Sequence, residues 1–189
     1  MSRGALFFLL AAVLITALPR ETAALLSAAA VHEAGHIAAL RLLGGVVEDF
    51  RFEGRGFCLR YREPEGMWET ALIALSGPLA GFLFSLLLLL IWRRTLWPWP
   101  RLCAVCSALL SAFNLMPALP LDGGRILETL AAALWGEQRT ARILSISGWL
   151  CVGLLFAAGL LLALRGYGFA LLAAALFLLP EQLRRHCSH

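Results

Sequence analysis

The chain has 189 residues, 60% of them hydrophobic and 15% charged, with a mean hydropathy of +0.80. Soluble domains are only about half apolar, so this composition excludes an ordinary soluble enzyme and assigns the chain to a bilayer. The net charge of +4 rests on 16 basic residues, all arginine, spread through the gaps between apolar runs; that dispersion suits membrane orientation and argues against nucleic-acid binding.

A spanning helix needs about 20 consecutive apolar residues. Residues 71–92, 102–121 and 143–164 meet that length, while 5–19 and 166–180 are shorter and span only with help from their flanks. The first of these short runs also has the look of a secretory signal peptide, although no A-x-A cleavage site follows it and Arg20 and Glu21 stand where one is expected. A sixth run, 22–40, is interrupted by His32, Glu33 and His36. Ionisable side chains are costly in a bilayer and mark function there. Between 44 and 68 the chain turns polar and alternates with period two: Phe50, Phe52, Phe57, Leu59 and Tyr61 fall on one face and Arg51, Glu53, Arg60 and Arg62 on the other, with Gly54-Arg55-Gly56 as the turn. Residues 125–135 form an amphipathic stretch too short to span, suited to the membrane interface. The expected fold is an all-α polytopic membrane protein of about six transmembrane helices with a small β-hairpin between the second and third, forming one domain over residues 1–189 without a PDZ or CBS module. Five cysteines, three of them within apolar runs, read as packing residues rather than as a disulfide framework, and Cys103-x-x-Cys106 lacks the soluble context of a redox motif.

The chemistry begins at His32-Glu33-Ala34-Gly35-His36. Positions i and i+4 of a helix lie one above the other, so both imidazoles can face one metal ion. In an H-E-x-x-H arrangement the glutamate is the general base, and the two histidines and a glutamate would otherwise be buried without partners. Catalytic zinc usually takes three protein ligands and keeps one position open. The strongest candidate for the third is Asp122, in Asn114-Leu115-Met116-Pro117-Ala118-Leu119-Pro120-Leu121-Asp122-Gly123-Gly124. Pro117 and Pro120 cannot continue a regular helix, and irregular backbone at membrane depth occurs where it is buried in protein or lines a wet cavity. Asp122 also suits the role of N-cap for the stretch after it. Glu128 and Glu137 are the alternative ligands if the chain is a membrane metalloprotease of another kind, and a non-catalytic zinc-binding membrane protein or transporter is a further alternative.

With these motifs the sequence resembles the site-2 protease family of intramembrane zinc metalloproteases. The resemblance rests on His32-Glu33-x-x-His36 in the second apolar segment and on Asn114, Pro117 and Leu121-Asp122-Gly123 at the end of the fourth. Ser76-Gly77-Pro78-Leu79-Ala80-Gly81 resembles the family's small-residue motif, with glycine at 81 where an asparagine is frequent; close helix packing is the simpler use of that glycine pair. Leu121-Asp122-Gly123-Gly124-Arg125 and the compact form look most like the branch that holds a bacterial sporulation protease maturing a sigma factor. The resemblance implies one zinc per chain held by His32, His36 and Asp122, Glu33 as base, and a membrane-anchored regulatory protein as substrate. Substrate contacts are expected from Asn114 and, if the hairpin receives an extended strand, from Phe57, Leu59 and Tyr61. Arg3, Arg51, Arg55, Arg60, Arg62, Arg125, Arg139, Arg142, Arg184 and Arg185 fall on one side of a six-span arrangement and Arg20, Arg93, Arg94, Arg101 and Arg165 on the other. That bias puts both termini in the cytoplasm of a cell whose membrane is expected to be bacterial.

Overall fold

The computed structural model describes residues 19–53, 56–62, 66–166 and 169–187, with the backbone alone described for residues 19, 46–53, 56–62 and 185–187. The apolar run 5–18 and the turn residues 54 and 55 lie outside the described residues.

The described chain runs α1 (Pro19–Leu42), β1 (Val46–Glu53), β2 (Gly56–Arg62), α2 (Met67–Thr95), α3 (Pro98–Asn114), α4 (Asp122–Trp135), α5 (Glu137–Leu164) and α6 (Ala170–Cys187). Among the described residues three helices, over Arg20–Leu42, Met67–Thr95 and Glu137–Leu164, are long and apolar enough to cross a membrane. At 1.5 Å per residue, the 23 residues of the first cover about 35 Å, enough for the ~30 Å hydrocarbon core. Leu83, Leu86, Leu87 and Leu90 of α2 and Leu150, Leu154 and Leu161 of α5 are exposed. Apolar surface on that scale is not tolerated in water, and the protein is an integral membrane protein.

α2 lies at the centre of the first half, packing against α1, α3 and α4. Association of helices in lipid needs close approach and polar bonds rather than apolar burial, and α2 has both. Its Gly77 and Gly81 face α1 and α3: a Cβ at 77 would fall on the His36 ring and one at 81 on Ser111 Oγ. Ser107 Oγ donates to Gly81 O at 2.8 Å, and Ser85 Oγ donates to Ala104 O at 2.8 Å. Gly35 brings α1 against Ser76 and Ala80 of α2 in the same way. Cys103 and Cys151 are buried free thiols within the helix packing.

The apolar run 102–121 is not one helix. α3 begins four residues earlier, because Trp97 caps it in extended conformation and Pro98 supplies a preset first turn, and it ends at Asn114. Beyond it, Pro117 and Pro120 withhold backbone donors and the chain closes in short turns, with Ala118 N bonded to Met116 O and Leu121 N to Ala118 O. At 17 residues α3 is about 26 Å long, shorter than the expected span. The stretch 125–135 belongs to α4: Asp122, Gly123 and Gly124 ahead of it are buried, residues 125–130 are half-buried, and Ala133, Leu134 and Trp135 are exposed. α6 passes through Pro180 to Cys187, and α5 and α6 close over the irregular segment. Ala118 and Leu121 are buried there with Cys151, Val152 and Leu155 of α5 and Ala175 and Leu178 of α6.

β1 and β2 pair antiparallel, with Phe52 opposite Phe57 and Phe50 opposite Leu59, and an irregularity between Val47 and Asp49. Among the described residues they form the one sheet.

Candidate metal centre

His32 and His36 occupy successive turns of α1, and their rings meet edge to face with centroids 4.8 Å apart. Across from them, Asp122 is the first residue of α4. Leu121 occupies the N-cap position in extended conformation and makes no side-chain capping bond, so Asp122 does not cap its own helix. Its carboxylate turns instead toward α1. Two glycines allow this: a Cβ at 123 would strike the Leu115 carbonyl and one at 124 the backbone of Ala118 and Leu119, so the first turn of α4 lies flat on the irregular segment.

Three atoms converge. His32 Nε2 is 3.0 Å from Asp122 Oδ2, His36 Nε2 is 3.2 Å from the same oxygen, and the two nitrogens are 3.2 Å apart. All three residues are buried, at 5%, 2% and 7% exposure. His36 Nδ1 lies 2.7 Å from Ile73 O, which can only accept, so Nδ1 carries the proton and a neutral His36 presents a lone pair at Nε2. That lone pair faces the carboxylate oxygen and the second imidazole nitrogen. A single proton on His32 cannot satisfy all three contacts, whereas one cation at the centre does. Donor atoms about 2.0–2.1 Å from a tetrahedral zinc stand about 3.3–3.4 Å from one another, close to the separations here. The second histidine thus has the orienting backbone acceptor characteristic of metal-ligating imidazoles. His32 Nδ1 is buried without such a partner. Among the described residues this trio is the group that could hold a metal ion; Glu128 and Glu137 do not join it.

The remaining expected site residues are dispersed. Glu33, next in sequence to His32, is partly exposed. Asn114, at the end of α3, donates from Nδ2 to Leu110 O at 3.0 Å, a bond that secures the last turn of the helix. Phe57, Leu59 and Tyr61 lie on β2, where their side chains are outside the described part of the structure. Gly77 was expected as a packing glycine. It also admits the His36 ring, since a Cβ there would lie 2.1 Å from His36 Nε2.

Fold and site define a helical integral membrane protein with a buried centre of two histidines and one aspartate able to hold a metal. The model of peptidase family M50 matches residues 93–159, the part that includes Asp122. A Synechocystis protein with a zinc-metalloprotease name is 29% identical over 145 residues, covering 70% of this chain and 38% of its own length. A zinc metalloprotease of Methanocaldococcus jannaschii is 32% identical over 76 residues, 38% of this chain and 22% of that one. The chain therefore spans well under half the length of these relatives. Among solved structures, the site-2 protease from Methanocaldococcus jannaschii superposes with a TM-score of 0.69 at 20% identity, over 96% of this chain and 87% of that one. Over residues 93–159 the chain is thus similar to peptidase family M50, and its fold is that of the solved site-2 protease.

Proposed function

We propose that the protein is a zinc-dependent intramembrane endopeptidase that hydrolyses peptide bonds in or near transmembrane segments of membrane-anchored regulatory proteins. The observation that carries this reading is the convergence of two imidazole nitrogens and one carboxylate oxygen, buried among helices, with a partly exposed glutamate beside the first histidine.

His32, His36 and Asp122 would hold one zinc ion per chain. Bound there, zinc supplies a Lewis acid and lowers the pKa of water toward about 7. Glu33 does the proton work in this reading. It takes a proton from the attacking water as the water oxygen adds to the scissile carbonyl carbon, and it returns that proton to the amide nitrogen as the carbon–nitrogen bond breaks. A peptide bond sealed in a helix offers no open carbonyl, so the substrate must unwind and lie extended. β1 or β2 is a ready edge for it by strand addition, which makes Phe57, Leu59 and Tyr61 the proposed contacts on one side and Asn114 a proposed contact on the other.

We read the whole chain as six spans with both termini cytoplasmic. In that arrangement α1 runs inward, and the eight residues from His36 to Gly44 put the metal about 12 Å below the cytoplasmic surface. Arg101, whose guanidinium stacks over Trp92 at 5.0 Å, then marks the outer interface with Trp97 and Trp99. Water enters and products leave on the cytoplasmic side.

The test is comparison of the membrane proteome in cells expressing the wild type or Glu33→Gln. Fragments of membrane proteins present with the first and missing with the second are expected, and identical fragment patterns would remove the protease reading.

A further inference from the structure

α6 carries a glutamine in an otherwise apolar interior. Gln182 is 1% exposed, and its Nε2 donates to Leu119 O at 3.3 Å. Leu119 lies in the irregular segment three residues before Asp122. A carbonyl in broken backbone among apolar helices must find a donor from elsewhere. Gln182 is that donor. The amide orientation follows from chemistry: Leu119 O only accepts, so Nε2 and not Oε1 faces it.

Two further observations indicate that the contact is built rather than incidental. Gly148 of α5 faces the amide directly, and a Cβ there would lie 2.2 Å from Gln182 Oε1 and 2.4 Å from Nε2. The glycine makes the room the glutamine occupies. Gln182 Oε1, meanwhile, is buried with no hydrogen-bond partner. An apolar side chain of similar length would fill the same space without leaving an unpartnered acceptor, so the bond to Leu119 is what the amide adds. The segment it grips is held on its other sides by Ala118 and Leu121, packed on α5 and α6.

We propose that Gln182 is a positioning residue for the metal centre, fixing the Leu119–Asp122 segment so that the carboxylate of Asp122 meets the two histidines of α1. The inference rests on the reading of Asp122 as a metal ligand. The C-terminal helix pair then sets the third ligand, while α1 and α2 set the first two, and the centre closes where the two halves of the molecule meet.

The experiment measures zinc affinity of purified full-length protein by competition with a chelator, together with the visible spectrum of the cobalt-substituted protein and the thermal midpoint of the metal-free form. Gln182→Met removes the donor, and Gly148→Ala displaces the amide while leaving it present. Loss of an outer partner typically weakens metal binding about 10- to 100-fold, and both variants are expected to fall in that range with altered cobalt bands. Gly159→Ala is the control for disturbed packing, since its Cβ would strike the Leu172 backbone in the same helix pair away from the irregular segment; it is expected to lower the thermal midpoint and leave affinity and cobalt bands as in the wild type. Asp122→Ala separates the two layers of the argument. Full zinc affinity in Asp122→Ala overturns the ligand reading and this inference with it. Weak binding in Asp122→Ala beside wild-type affinity and bands in both Gln182→Met and Gly148→Ala overturns the positioning role alone. So does a Gly159→Ala variant that loses zinc as they do. If Gln182→Met does not fold, Gly148→Ala carries the same decision.

Discussion

Gly77→Ala puts the metal reading under direct load. The added methyl would lie 2.1 Å from His36 Nε2, 2.5 Å from Cε1 and 2.6 Å from Cδ2, so it would occupy the position of the ring's metal-facing edge. The ring has little freedom to yield. Its Nδ1 is held 2.7 Å from Ile73 O, one turn before Gly77 on the same helix. Relief therefore requires either losing that bond or pushing α1 away from α2, and each draws Nε2 off the line to Asp122 Oδ2. Overpacking of this kind costs about 1–3 kcal/mol; if it falls wholly on the metal-loaded geometry, zinc binding weakens about 5- to 150-fold. Chelator competition on purified protein measures it. Gly153→Ala is the reference, because a Cβ there meets nothing within 4 Å and alanine in a helix interior stabilises by about 0.5–1 kcal/mol relative to glycine. It should bind zinc as the wild type does. A Gly77→Ala protein with wild-type affinity would refute the reasoning, since His36 would then not be held where a ligand must be.

Other variants separate the roles within the site. Glu33→Gln should abolish proteolysis while the purified protein keeps about one zinc per chain; joint loss of zinc and activity would make Glu33 a ligand instead. His32→Ala, His36→Ala and Asp122→Ala should each weaken zinc binding in a metal titration, and Glu128→Ala should leave it unchanged. Proline at Leu59 or Tyr61 removes a ladder donor from β2 and should slow cleavage of a membrane-anchored substrate, with normal turnover in both excluding strand addition. Arg55→Cys, in a chain without its native cysteines, should resist a membrane-impermeant thiol reagent in intact cells and react once the membrane is opened. Labelling in intact cells reverses the proposed topology.

The histidine pair was legible because it is local. A spacing of four on a helix brings two rings to one face whatever surrounds them, and the cost of burying them in an apolar segment left few other uses. Asp122 was legible indirectly: prolines and glycines interrupt an apolar run where only a buried or wet site tolerates irregular backbone. That signal located the break in the helix but not its extent, and the apolar run was read through to residue 121 where the helix stops at Asn114. Hydropathy does not register the loss of a backbone donor. It also misses the start of α3, since Pro98 and Arg101 look like flanking loop although proline is at home in a first helical turn. Gln182 went unread because the apolar run was closed at Pro180. Helical spacing carries the pattern past the proline, with Ala175, Leu178 and Gln182 all buried along one stripe. For Gly77 and Gly81 the small-residue spacing gave close approach correctly, but no pattern within one helix reveals that an imidazole meets the first and a serine hydroxyl the second.

The distribution of these contacts explains why an irregular segment can persist at such a site. The two histidines need no broken backbone, since one helix presents both. Asp122 does need one, because α3 ends at Asn114 and the chain turns through residues 115–121 before α4 begins. Each feature of residues 115–124 answers a consequence of that turn. Prolines end the helix, glycines let α4 lie against the turn, Asn114 donates to Leu110 O in the last turn of α3, and Gln182 donates to Leu119 O within the irregular segment. The histidines are served more simply, by one helix: α2 offers Ile73 O to orient His36 and Gly77 to admit its ring. The energetic burden of the site thus lies mainly on the aspartate side. Disturbing α6 should therefore reach the metal through Asp122 before it reaches either histidine, although no described side chain of α6 joins the trio.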